Sequence, residues 1–226
     1  MSIQYSKLEE IHLELAQILN NSTIIFFDLE TQNLFVELEP KWNSMKWKDK
    51  QKIRVDLCKR MKVSIAGLLF FKNGKPTYKY FTEDNIQELE EELLKATKII
   101  GHNLLEFDYD VLYAYIPKKS LEQIKNKTLD TMKLMSEVTK QWSSLDDLGN
   151  LNFDIGKTIN TLEIPKMWRD GKYDEVRDYL KIDLDLLAGV FYYGLSKQPL
   201  KYNVKDYGRL VGQKEVILDW KNRVTN

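Results

Sequence analysis

Apolar residues recur along this chain at two spacings, and the alternation between them lays out an α/β protein. In residues 3–19, Ile3, Leu8, Ile11, Leu15 and Ile18 fall at helical spacing with Glu9 and Glu10 off the stripe. That pattern predicts an amphipathic helix packed on the outside of a domain. Asn20, Asn21 and Ser22 end it, and Ile24, Ile25, Phe26 and Phe27 follow as a buried strand over 24–29. A second strand is expected over 63–71, then an Asn73-Gly74 hairpin turn and a returning strand over 77–81. Residues 83–94 read as a surface helix with Ile86, Leu89, Leu93 and Leu94 on one face. Ile99-Ile100 and residues 128–131 read as short strands, and residues 143–151 as the start of a helix capped by a serine. A long helix runs from Asp174, with Leu180, Leu184, Leu187 and Phe191 as its core stripe. After Pro199, residues 200–207 and 214–220 read as two strands joined through Gly208 and Gly212. Residues 32–62 carry the least regular pattern, and no internal repeat or low-complexity segment interrupts the chain.

With 226 residues, 43% of them apolar and 30% charged, the chain is long enough to bury a substantial core. Formal net charge is zero, so any contact with a polyanion must come from local patches. One such patch is clear. From Lys41 to Lys62, nine Lys or Arg face only Asp49 and Asp56, a local charge of +7, and Trp42 and Trp47 sit among them. Basic residues interleaved with aromatics suit single-stranded nucleic acid. A solvated insertion whose tryptophans anchor it to the core explains the same pattern. Residues 83–92 hold six acids and no base, which balances the total without removing the patch. Cys58 is the only cysteine, which excludes an internal disulfide and a Cys-rich zinc site. With only His12 and His102, a zinc centre built on several histidines is not expected either. No stretch approaches the ~20 apolar residues of a membrane span, and the N-terminus lacks a signal pattern. The expectation is an intracellular, cytoplasmic protein without a membrane partner.

The chemistry concentrates at the end of the first strand. Asp28 and Glu30 are two residues apart, so both carboxylates leave the same face. Two like charges side by side are costly unless a cation neutralises them, and a hard divalent ion such as Mg²⁺ or Mn²⁺ prefers carboxylate oxygens. A strand running out into a polar turn is the simpler reading of these two residues alone. Further on, Gly101-His102-Asn103 opens a helix that Asn103 can cap and that carries Asp108 where a sheet edge meets a helix. On the long helix Tyr179 and Asp183 are one turn apart and share a face. Asp110 and Asp185 flank these motifs and read as solvated helix residues, and Asp130 as structural. Lys166, Trp168 and Arg169 belong either to a substrate path or to a packed loop.

Taken in order, Asp28, Glu30, Asp108 and Asp183 make the sequence resemble the DEDD superfamily of 3′→5′ exonucleases. Three motifs carry the resemblance: Phe27-Asp28-Leu29-Glu30-Thr31 ending a strand, Gly101-His102-Asn103 followed by Phe107-Asp108 and Leu112, and Tyr179 four residues before Asp183. One branch of the superfamily places a histidine five residues before the last Asp. Asp178 stands there, so the match is to the tyrosine branch, that of ribonuclease D and the proofreading domains of family A and B DNA polymerases. The resemblance covers residues 23–195. It implies a ribonuclease H-like mixed β-sheet flanked by α-helices, with residues 1–22 as an N-terminal helix, the basic insertion 32–62, and residues 198–226 as a C-terminal β-hairpin extension, all in one stand-alone exonuclease domain. It implies two Mg²⁺ or Mn²⁺ ions, with Asp28 bridging both, Glu30 and Asp183 completing the ion that holds the attacking water, Asp108 acting on the other through water, and Tyr179 orienting the water. Leu29, Thr31, His102, Asn103 and Phe107 are the implied contacts to the terminal nucleotide. The implied partner is single-stranded nucleic acid, DNA more than RNA, with nucleoside 5′-monophosphates as products and a replication or repair protein as a further partner. A binding module that kept the fold but not turnover, and a structure-selective endonuclease with the same metal pair, are the alternatives.

Overall fold

Strand β1, Ile24–Thr31, lies at the centre of the molecule because both of its faces are apolar. The computed structural model describes residues 3–155 and 159–224, the side chains of residues 3–6 and 224 excepted. Ile24 and Phe26 face one core, built with the helices Ile3–Leu19 and Tyr173–Ser196, while Ile25, Phe27 and Leu29 face a second, built with Ile86–Lys95, Asp108–Leu112 and Lys118–Asn126. The strand alternation thus feeds two layers of helices from one segment. β2 (Val63–Lys72) pairs antiparallel with β1, and β3 (Lys75–Phe81) antiparallel with β2. On the other side β4 (Lys98–Gly101) is parallel to β1 and β5 (Thr128–Asp130) parallel to β4. The strand order β3-β2-β1-β4-β5 is that of the expected ribonuclease H-like mixed sheet with flanking helices. Asn73 (φ +52°) and Gly74 (φ +72°) supply the two left-handed positions that a tight hairpin between β2 and β3 requires.

The C-terminal hairpin also forms, as a separate two-stranded sheet of β6 (Pro199–Asp206) and β7 (Arg209–Ile217). Leu200 and Tyr202 of β6 are buried in the core beside the long helix. The Asn152 amide clasps the Lys201 backbone, donating to its carbonyl and accepting from its N–H, both at 2.9 Å. Gly194 lets Trp220 lie on the long helix, for a Cβ there would fall 2.4 Å from the indole.

Several expectations needed correcting. Residues 32–62 are not irregular: they form the helices Phe35–Leu38 and Trp47–Arg60 with the 3-10 turn Trp42–Ser44 between them. Only Leu57 and Cys58 of the longer helix are buried, so its apolar periodicity is too thin to read from sequence. Ile18 is exposed, and the buried stripe of the first helix continues instead through Ala16 and Leu19. Asn103 caps no helix: it sits in a turn at φ +72°, and the helix begins five residues later at Asp108. Gly212 lies inside β7 rather than in the connection, which is made by Tyr207 and Gly208.

Candidate metal centre

Along β1 the side chains of Asp28 and Glu30 continue the face begun by Ile24 and Phe26, the face against which the long helix packs. Asp28 pairs with Gly67 of β2, and that glycine sets how closely the helix approaches. A Cβ on Gly67 would fall 2.8 Å from Leu184 Cδ1 and 3.0 Å from Leu180 Cδ2. Leu180 and Leu184 bracket Asp183, which is 4% exposed. The outcome is that Asp28, Glu30 and Asp183 each present an oxygen within 4.8 Å of the others. Between Glu30 and Thr31 the β1–β2 register slips by one residue. Such a bulge turns the end of a strand and re-aims its side chains. Three carboxylates at this spacing repel one another unless a cation lies among them, and an all-oxygen set suits a hard divalent ion.

Asp108 stands beside this triad rather than in it. It opens the short helix Asp108–Leu112 and is 3% exposed. Burial pushes its carboxyl up to about 8; the neighbouring Asp130 adds to the rise, while hydrogen bonds from its own backbone amide and that of Leu29 hold it back. Its Oδ1 is buried and has no hydrogen-bond partner among the described residues. An orphaned carboxylate oxygen next to a carboxylate triad fits the demand of a cation and its bound water. Tyr179 is buried one turn before Asp183, its hydroxyl 3.0 Å from Thr161 Oγ1. Thr161 was not singled out in the sequence; a polar residue in an irregular stretch gives no signal of which side chain it will meet.

The implied substrate contacts divide. Thr31 and Phe107 line a cavity of about 260 Å³ together with Glu30, Phe35, Trp42 and Leu162. Leu29 buries its side chain in the opposite core, leaving its backbone at the strand end. His102 spends both ring nitrogens on the protein: Nδ1 lies 2.8 Å from the Thr131 hydroxyl, and Nε2 donates to the Ser143 carbonyl at 2.8 Å. The Asn103 amide donates to Asp130 at 3.0 Å. Asp130 also accepts from the amides of Leu105, Met132 and Lys133, the structural role expected of it.

Asp110 and Asp185 are not solvated. Asp110 is buried and paired with Arg54 at 2.6 Å, which fastens the basic helix Trp47–Arg60 to the helix that carries Asp108. Asp185 is buried and accepts from the Tyr78 hydroxyl and from Lys181 at 2.7 Å. Both sit on the inner faces of their helices, where only a partner makes a carboxylate tolerable. Trp168 packs partly buried against Tyr173, their ring centroids 4.5 Å apart. Arg169 reaches across to Glu37 at 2.6 Å and to the Gln32 carbonyl, tying the helix Ile164–Arg169 to the insertion.

No protein-family model and no curated protein matches the chain. Among solved structures, the family B DNA polymerase of the hyperthermophilic archaeon Pyrobaculum calidifontis is similar, with a TM-score of 0.51 and 12% identity. The alignment takes in 77% of this chain and 24% of the polymerase, so the chain spans about a quarter of that protein. At this identity the likeness concerns the fold, and it agrees with the strand order above. No helix among the described residues is long and apolar enough to cross a membrane.

Proposed function

We propose that the protein is a metal-dependent 3′→5′ exonuclease acting on single-stranded nucleic acid, DNA more than RNA, and releasing nucleoside 5′-monophosphates. The observation that carries this reading is the convergence of Asp28 and Glu30 with Asp183, more than 150 residues later, to within 4.8 Å. The motif order and the fold shared with a family B DNA polymerase support it. In this reading Asp28, Glu30 and Asp183 would hold a Mg²⁺ or Mn²⁺ ion, and Asp108 would help to hold a second. Bound there, such ions acidify a water and neutralise charge at the phosphodiester. The rest falls to the chain. Thr161 fixes the Tyr179 hydroxyl so that it can orient a water beside Asp183, and the cavity lined by Thr31, Phe35 and Phe107 takes the terminal nucleotide. His102 and Asn103 shape the turn after β4, and Asn103 lines the groove that adjoins that cavity. The core of the activity is residues 23–195, and the protein works in the cytoplasm with a replication or repair protein as a further partner.

A 5′-labelled single-stranded oligonucleotide incubated with Mn²⁺ should give a ladder of shortened products. Asp28→Asn should cut the rate by more than about 100-fold, since loss of even an outer-shell partner of a metal ligand costs 10–100-fold. Circular single-stranded DNA should remain intact, because an exonuclease needs an end. An inert wild type, or full activity in Asp28→Asn, ends the proposal, and cutting of the circle replaces it with an endonuclease.

A further inference from the structure

Next to the metal centre, a groove of about 720 Å³ opens between the basic insertion and the segment that follows the helix Thr131–Thr139. Trp47 and Trp142 line it, and they are 73% and 61% exposed. They come from parts of the chain 95 residues apart yet line one groove, and exposed apolar surface gathered in one place marks an interaction site. The third tryptophan of the groove differs. Trp42 has one neighbour in Phe35, stacked at 4.3 Å and 13°, and another in Lys50, whose Nζ lies 5.1 Å from the ring centroid. It anchors the insertion, and Phe35 passes the contact on to Phe107 edge-to-face at 6.0 Å. Phe35, Trp42 and Phe107 line both this groove and the cavity that includes Glu30, so the two spaces adjoin across shared side chains. Lys46 and Lys48 at the start of the helix Trp47–Arg60 are exposed and make no ion pair among the described residues. Trp142 is held in place from behind, by the hydrogen bond from His102 Nε2 to the carbonyl of the next residue, Ser143.

We infer that this groove is a second binding site, which grips single-stranded nucleic acid beyond the nucleotide at the metal centre by stacking bases on Trp47 and Trp142. The inference rests on the nuclease reading for the direction of the strand. A single strand is the occupant because it offers what this face demands: flat apolar faces for two indoles and phosphates for Lys46 and Lys48, the exposed lysines that flank Trp47 in the chain. A protein segment would satisfy the indoles but not, in general, the cations. The volume lies within the ~300–1,000 Å³ usual for specific ligand sites. His102, on this view, is a positioning residue that sets the Trp142 segment against the β4 turn.

The experiment is a binding series without turnover: 5′-fluorescein oligo(dT) and oligo(rU) of two to eight nucleotides, in EDTA, read by anisotropy. Affinity should climb steeply up to about four nucleotides and then level off. In a Trp47→Ala/Trp142→Ala variant the climb should be lost, with at least about tenfold weaker binding of the eight-mer. Trp47→Phe/Trp142→Phe should keep it, which separates stacking from any effect on folding. A flat length series in both oligomers, or a double alanine variant with the wild-type climb and an unshifted thermal midpoint, overturns the inference. A peptide that competes for the groove while the oligomers do not bind overturns it in favour of a protein partner. Hydrolysis of thymidine 5′-(p-nitrophenyl phosphate) by the wild type with Mn²⁺ tests the nuclease reading alone, since that substrate is too short to reach Trp47 or Trp142.

Discussion

Glu30 shows what a crowded carboxylate does to its surroundings. With oxygens of Asp28 and Asp183 within 4.8 Å, it adds repulsion in the ion-free protein of about 3 kcal/mol or more for each neighbour at an effective dielectric of 20, before solvent screening reduces it. Glu30→Gln should therefore raise the melting temperature measured in EDTA, by about 2–4 °C for each kcal/mol relieved in a chain of this size. The same change should shrink the gain in melting temperature on adding Mn²⁺, because a bound ion stabilises only through the ligands that hold it. Differential scanning fluorimetry with and without the metal reads both signs at once. His12 makes the opposite case, a titratable group with an acid at hand that still prefers to be neutral. Burial lowers its pKa; Asp185, 3.5 Å away, and Glu9 raise it, and Lys181 lowers it further. The Asp185 carboxylate is already engaged by the Tyr78 hydroxyl and by Lys181, so it cannot offset the loss of water around the imidazole. Between the depressed folded value and the unfolded 6.5, the unfolded chain binds the extra proton. Stability from His12 is thus complete above pH 6.5 and is lost as pH falls through the folded value. Denaturant titrations should show this slope in the wild type and a weaker one in His12→Gln.

Among the elements, the long helix Tyr173–Ser196 does the most to assemble the site, and its seat is decided by a residue on another element. Gly67 in β2 has no side chain, so Leu180 and Leu184 rest directly on the sheet opposite Asp28. Both leucines are fully buried and have nowhere to retreat. Gly67→Val should cost about 1–3 kcal/mol in urea denaturation, the usual cost of overpacking a filled core. In the proposed enzyme it should also lower kcat, because a shift of the helix carries Tyr179 and Asp183 away from Asp28 and Glu30. A Gly67→Val protein with wild-type rates would show that the helix is seated by other contacts. The basic helix Trp47–Arg60 is held differently. It buries only Leu57 and Cys58 and owes its position to the Arg54–Asp110 pair and the Trp42–Phe35 stack. Its cationic face is therefore left toward solvent beside the groove.

For the whole molecule, zero net charge conceals a separation of charge. The segment from Lys41 to Lys62 carries +7 while the helix Ile86–Lys95 and the turn before it are acidic, and both pack on the same face of the sheet. Long-range attraction of nucleic acid is then weak, and binding must depend on short-range contacts at the basic face. Affinity for a single-stranded oligomer should fall with salt at a slope set by those contacts, about 0.7 for each phosphate neutralised. Replacing Lys46 and Lys48 by Gln should flatten that slope by roughly 0.7 per lysine that touches phosphate. The same replacement of Lys75 and Lys119, in elements away from the groove, should leave the slope as it is. Anisotropy titrations between low and moderate salt measure the difference.

The sequence by itself determined the strands of the sheet, the hairpin at Asn73-Gly74, the long helix with its stripe, and the pairing of Asp28 with Glu30 on one face. Each follows from spacing within a single segment, where period 2 or 3.6 and local turn chemistry decide the outcome. Only the tertiary structure decided which acids meet. Asp108, Asp110, Asp183 and Asp185 look alike along the chain, two on each of two helices. Yet Asp183 joins the triad, Asp108 stands beside it, and Asp110 and Asp185 turn to Arg54, Tyr78 and Lys181. That choice depends on which side of each helix meets the sheet and at what distance, and the distance was set by a glycine in another strand. The helicity of residues 32–62 and the meeting of Trp47 with Trp142 were hidden for the same reason, since neither leaves a periodic mark within its own segment.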